Sequence, residues 1–170
     1  MFIAGLVIVV FGLMAVEACL AASNEASQRR RGGIEPAEDV YSVMRIAYPA
    51  AFVAMILEGF TRGVAAAPVL AAGIALFAAA KGLKWWAIWT LGPFWTFRVI
   101  VVPDTFLVVT GPYRFMRHPN YLAVIAELIA VALIAGAVII GPVATLAFGL
   151  LIRKRIAVEE RALGAILPRN

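Results

Sequence analysis

With 170 residues, the chain has room for one domain. Hydrophobic residues make up 64% and charged residues 15%, whereas a soluble domain carries about 45–50% and about 25%, so an ordinary soluble domain is excluded. The net charge of +5 comes from basic residues that flank apolar runs, which reads as membrane orientation rather than nucleic-acid binding.

The first apolar run covers residues 1–22. It has no positive n-region, is long for a signal-peptide core and is interrupted by Glu17, so it reads as a true span. A polar segment follows over 23–39, with Arg29-Arg30-Arg31 and a turn at Gly32-Gly33. The second run covers 41–60 and the third 64–91. The third is rich in alanine at its start, and small residues let helices approach closely in lipid. Trp85, Trp86 and Trp89 beside Lys81 and Lys84 predict a membrane interface at its end.

Residues 92–120 read as irregular, punctuated by Gly92-Pro93, Pro103-Asp104 and Gly111-Pro112. The β-branched residues at 99–102 and 108–109 predict short extended strands. Such backbone is tolerated at membrane depth only inside protein or along a cavity. A fourth run covers 119–136 and a fifth 141–156, which form a hairpin ahead of a basic amphipathic tail. The expectation is a single all-α integral membrane domain over 1–170 with about five transmembrane helices. Five spans place the 23–39 loop, the 92–120 loop and the tail on one side. These segments and their flanks carry nearly all the Lys and Arg, so that face is expected in the cytoplasm, in a bacterial-type inner membrane.

Two segments of that face carry the functional groups. In 111–121, Pro119 suits the first position of a helix. A helix start near His118, with Arg114 and Arg117 beside it, can hold a ligand carboxylate; the arginines equally suit lipid phosphates. In 155–161, Arg155 and Glu159 lie one turn apart and Glu160 faces elsewhere, where it can accept hydrogen bonds from ribose hydroxyls. The same spacing also fits a solvated amphipathic tail. Three carboxylates fall within the runs. Glu58 lies near a helix end, where the interface accounts for it. Glu17 and Glu127 are deeper and are functional candidates. Glu127 either lines the site on the face of Asn120 or makes an interhelical bond with a residue such as Arg45. The one cysteine, Cys19, and the one histidine, His118, exclude an intrachain disulfide and a His/Cys metal cluster. Neither G-x-G-x-x-G nor a Walker A motif occurs.

Gly111-Pro112-Tyr113-Arg114, Arg117-His118-Pro119-Asn120-Tyr121 and Arg155-x-x-x-Glu159-Glu160 resemble the isoprenylcysteine carboxyl methyltransferase family. The resemblance is closer to its bacterial branch, which methylates alkylpyrones and related phenolic lipids. Leu91-Gly92-Pro93-Phe94-Trp95, the segment from Arg98 to Pro103, Glu17 and Asn24 are also similar to that branch. Ala123 stands where many members have glycine, a departure that argues against prenylcysteine as the substrate.

The resemblance implies a cytoplasmic-side pocket for S-adenosylmethionine, formed by the 92–120 loop, the last helix hairpin and the C-terminal helix. It implies that Arg117, His118, Pro119, Tyr121, Glu160 and Tyr113 bind the cofactor. Arg155 would face the substrate, held by Glu159. Trp95, Arg98, Asn120 and Glu127 are the substrate-binding candidates. The expected activity is O-methylation of an acidic hydroxyl or carboxylate on a lipophilic molecule, with membrane lipid the other partner and the oligomeric state open. Two alternatives stand beside it: a phospholipid N-methyltransferase, and a non-catalytic transporter or assembly subunit.

Overall fold

The computed structural model describes residues 2–63 and 65–166; Met1 and Val64, where the first and third apolar runs begin, and residues 167–170 lie outside them. The protein is all-α. Among the described residues, five helices follow in order: α1 (Phe2–Arg30), α2 (Tyr41–Arg62), α3 (Ala67–Leu91), α4 (Pro119–Ala135) and α5 (Ile140–Ile166). Two 3-10 turns, Gly92–Phe94 and Gly111–Arg114, bound the irregular stretch between α3 and α4. Helices α1, α2 and α3 are long and apolar enough to cross a membrane, while α4 is a shorter apolar helix. The chain is thus an integral membrane protein, because helices satisfy every backbone polar group internally where lipid offers no partner.

Three expectations change. The 23–39 segment is not a loop throughout, since α1 continues as helix to Arg30. The fifth run and the basic tail are one unbroken helix, α5. The expected strands reduce, among the described residues, to a single antiparallel bridge between Ile34 and Val101. Its two backbone hydrogen bonds measure 2.8 and 3.0 Å.

The chain forms two compact units. One comprises the described residues of Met1–Val43, Leu91–Val108 and Arg153–Asn170; the other comprises Met44–Thr90 and Val109–Ile152. In the second unit, α4 is the most enclosed helix, burying Ala123, Leu128, Ala130 and Val131 completely. Small residues permit this. A Cβ on Gly59 of α2 would lie 2.3 Å from the Ala135 carbonyl oxygen, and one on Gly141 would lie 2.5 Å from the Ala132 Cβ. Close packing of this kind is what holds helices together where lipid removes the hydrophobic drive.

Glu58 stitches the same unit. Its carboxylate accepts the backbone N–H groups of Ile139 (3.0 Å) and Ile140 (2.7 Å) and pairs with Arg62 at 2.8 Å. These amides open α5 and have no carbonyl partner within the helix. Glu58 is therefore a cap for another helix, a role that position near an interface did not reveal.

In the first unit the end of α1 fastens the turn that follows α3. Asn24 and Gln28, one helical turn apart, donate from their side-chain amides to backbone carbonyls. Asn24 reaches Gly92 (3.1 Å) and Trp95 (2.8 Å), and Gln28 reaches Pro93 (2.9 Å). The Gly92 carbonyl also accepts from Trp95 N–H at 3.2 Å, so the two side-chain amides add donors to an irregular turn, where a buried carbonyl without a donor is costly.

Candidate functional site

The 111–121 segment belongs to the second unit. Gly111 adopts φ +54°, and a Cβ there would lie 2.4 Å from the Thr90 hydroxyl oxygen, so only glycine fits this bend. The 3-10 turn is closed by Tyr113 N–H to the Thr110 carbonyl (3.0 Å) and by Phe115 N–H to the Pro112 carbonyl (3.1 Å). Helix α4 then opens at Pro119 as expected, with His118 at its N-cap. The His118 carbonyl accepts from Tyr121 N–H (3.2 Å) and Leu122 N–H (3.3 Å). Its imidazole makes no capping bond and lies 5.4 Å from the Tyr121 ring. Tyr113, Asn120 and Tyr121 are half-buried, Pro119 is buried, and Arg114 and Arg117 are exposed. This segment combines a helix start, two cations and paired rings. That chemistry suits a ligand with a carboxylate and an aromatic base.

Glu127 lies in the same unit, 1% exposed. Its Oε2 accepts from the Tyr48 hydroxyl (2.5 Å) and from Lys84 Nζ (3.3 Å). Lys81 Nζ lies 3.2 Å from Oε1. The interhelical partners are thus Tyr48 of α2 and two lysines of α3, not Arg45, which is exposed. This also corrects the reading of Lys81 and Lys84 as interfacial. Both are buried, whereas Trp86 and Trp89 beside them are exposed. The ammoniums leave the aromatic belt because a buried carboxylate offers charge compensation there. Tyr48 packs its ring 4.8 Å from Phe52 and 5.1 Å from Phe148.

The 155–161 segment belongs to the first unit. Arg155 is buried on α5. Its Nη1 donates to Asp39 Oδ1 at 2.9 Å, and its Nη2 donates to the Phe97 carbonyl. Glu159 is half-buried and Glu160 exposed. Val158 and Ala162 of the same helix are buried, with Ala162 packed against Val99 and Val101. Arg161 pairs with Glu38 at 2.8 Å, both exposed. Trp95 is 2% exposed, edge-on to Phe97 with ring centroids 5.3 Å apart.

Arg98 pairs with Glu35 (2.6 Å) and Glu25 (3.5 Å) and lies 4.6 Å over the Tyr41 ring. Arg29 also donates to Glu35. Partial burial pushes the Glu35 carboxyl up, but the hydrogen bonds and charges of Arg98 and Arg29 outweigh it and hold the group below its ordinary value. The buried carboxylate of Glu17 stays on α1 in this unit.

Sequence reasoning missed Asp39, Glu35, Gln28 and Tyr48. Asp39 had one visible signal, an acidic residue just ahead of an apolar run. Gln28 had another, its four-residue spacing from Asn24.

Residues 72–165 match the isoprenylcysteine carboxyl methyltransferase family. The chain belongs to this family. Membership implies a membrane methyltransferase. The matched stretch contains both motif segments, the whole of α4 and nearly all of α5, and it leaves α1 and α2 outside. The chain is also similar to the uncharacterized protein YpbQ of Bacillus subtilis (strain 168). The two are 29% identical over 149 residues, covering 88% of this chain and 89% of the relative. An uncharacterized protein of Haemophilus influenzae is 25% identical over 148 residues, 86% of each chain. No solved structure matches.

Proposed function

We propose that this family member is an S-adenosylmethionine-dependent O-methyltransferase. Its acceptor is an acidic hydroxyl or carboxylate on a lipophilic molecule, foremost an alkylpyrone or related phenolic lipid. The observation that carries the reading is the family match over residues 72–165, which takes in both charged motifs. We place the protein in a bacterial-type inner membrane with its active face cytoplasmic. The concentration of Lys and Arg in the segments expected on that side supports this.

The donor set at the start of α4 fits the cofactor. Arg117, just ahead of α4, suits a carboxylate. The neighbouring, tilted rings of His118 and Tyr121 suit an adenine, and Tyr113 and Pro119 are assigned to the same ligand. Glu160 is exposed and has the oxygens to accept ribose hydroxyls. The cofactor, when bound, supplies an electrophilic methyl on a sulfonium.

The protein's own residues must orient the acceptor and exclude water. Arg155 suits an oxyanion, since its guanidinium binds oxygen anions and does not give up its proton. A pyrone or resorcinol hydroxyl, or a carboxylate, then needs little help from a general base. An amine acceptor would need a group to take its proton, which is why phospholipid N-methylation ranks second. In the first unit Trp95, Arg98 and Glu159 are the further residues proposed for the acceptor, with Glu159 steadying Arg155 from one turn along α5; in the second unit Asn120 and Glu127 are proposed for the same ligand.

Calorimetric titration of the detergent-purified chain with S-adenosylhomocysteine tests the cofactor. Saturable binding is expected, weakened in Glu160→Ala. Turnover is then followed with radiolabelled methyl donor against alkylpyrones, alkylresorcinols and prenylcysteines. Arg155→Ala should abolish transfer and leave S-adenosylhomocysteine binding in place. Folded protein that binds none of the cofactor product would shift the reading to a non-catalytic membrane subunit.

A further inference from the structure

Asp39 stands in the connector between α1 and α2, ahead of the residues that the family match covers. Its carboxylate collects three donors. Oδ1 accepts from Tyr41 N–H (3.1 Å) and Arg155 Nη1 (2.9 Å), and Oδ2 accepts from Val99 N–H (2.9 Å). The side chains of Asp39 and Arg155 are 5% and 6% exposed.

Two of the three donors are backbone amides. Tyr41 N–H is the first amide of α2, a group with no partner inside its own helix. Val99 N–H belongs to the segment that carries the buried Val99 and Val101. The carboxylate is therefore held by rigid backbone before it meets the arginine. A long arginine side chain has much rotamer freedom to lose, and a charge-assisted bond to a fixed carboxylate removes that freedom at one end of the fork. The Phe97 carbonyl, accepting from Nη2, fixes the other.

We propose that Asp39 is a positioning residue for methyl transfer. It acts through Arg155, setting the plane of the guanidinium that orients the acceptor. This rests on the acceptor-side role given to Arg155 above. It explains how a guanidinium on a helix tail keeps one direction, because its aim is set 116 residues away, at the start of another helix.

The test uses Asp39→Asn in the full-length, detergent-purified chain, with the best alkylpyrone or alkylresorcinol as acceptor. The variant should lower kcat/KM for that acceptor about tenfold or more, as small misplacements at a reacting centre do. S-adenosylhomocysteine affinity should stay unchanged, while Tm falls because a buried ion pair loses its anion. In an Arg155→Lys background, which retains a cation but not the fork, adding Asp39→Asn should cost much less than in the wild type. Asp39→Glu, which keeps the charge on a longer arm, should recover part of the loss; if Asp39→Asn does not fold, Asp39→Glu is read in its place.

Full activity of Asp39→Asn overturns the proposal. So does an equal loss in both backgrounds, or a loss that follows S-adenosylhomocysteine affinity. Wild-type protein that neither binds S-adenosylhomocysteine nor methylates any acceptor overturns the methyltransferase reading, and this proposal with it. Normal wild-type turnover with an indifferent Asp39 overturns this proposal alone.

Discussion

Two carboxylates in this chain are each met by two cations, and they do opposite things. Glu127, at 1% exposure, faces Lys81 and Lys84 inside the second unit. Glu35, with its side chain 23% exposed, faces Arg29 and Arg98 in the first unit. The pairing is alike but the surroundings differ. Charges removed from solvent depend on one another, and loss of one partner from a buried pair is severe. Charges that keep their water lose little when parted. Ion pairs in this protein therefore cannot be ranked by distance, since the Arg98–Glu35 contact, at 2.6 Å, is shorter than either lysine contact of Glu127.

The comparison breaks most sharply at Glu127. Glu127→Ala should destabilise the protein by about 3–5 kcal/mol, because two buried ammoniums lose a shared carboxylate. Thermal unfolding in detergent would show it, and a Tm near wild type would mean that the burial is not felt in solution. Glu58→Ala should give a smaller drop in Tm, since the amides of Ile139 and Ile140 lose their acceptor. Its effect should persist at high salt, because hydrogen bonds to backbone carry most of it.

Glu35→Gln should have the least effect, about 0.2–1 kcal/mol, fading as ionic strength rises. Its pH dependence has a fixed sign. The folded-state value lies below the ordinary 4.5. The stabilisation is therefore complete above that ordinary value and is lost as pH falls through the depressed one. Melting curves of wild type and Glu35→Gln should converge in acid and separate slightly above pH ~5. Convergence on raising the pH instead would reverse the assignment.

Much of the second unit's 111–121 segment could be read from residues. Pro119 marks the start of α4 because proline lacks the N–H that a first helical position cannot use. Gly111-Pro112 marks a bend because the backbone there takes φ +54°. The apolar runs marked the helices because membrane-crossing lengths are long and leave little room for charge. Lys81 and Lys84 were misread for a physical reason. Beside tryptophans they fit an aromatic belt, and nothing on their own helix announces that Glu127 waits 43 residues after Lys84. Gln28 was hidden in a stretch that looked like loop, and the partners of Gln28 and Asn24 are backbone carbonyls, which carry no side-chain signal.

The sequence by itself determined the class of this protein: long apolar runs require helices, and two ordered motifs bring the chain into a methyltransferase family. The tertiary structure alone decided which charges meet. It set Arg155 against Asp39 and Glu127 against two lysines. Local periodicity reports which face of a helix a residue occupies, but the partner on the facing element is chosen by packing across the chain.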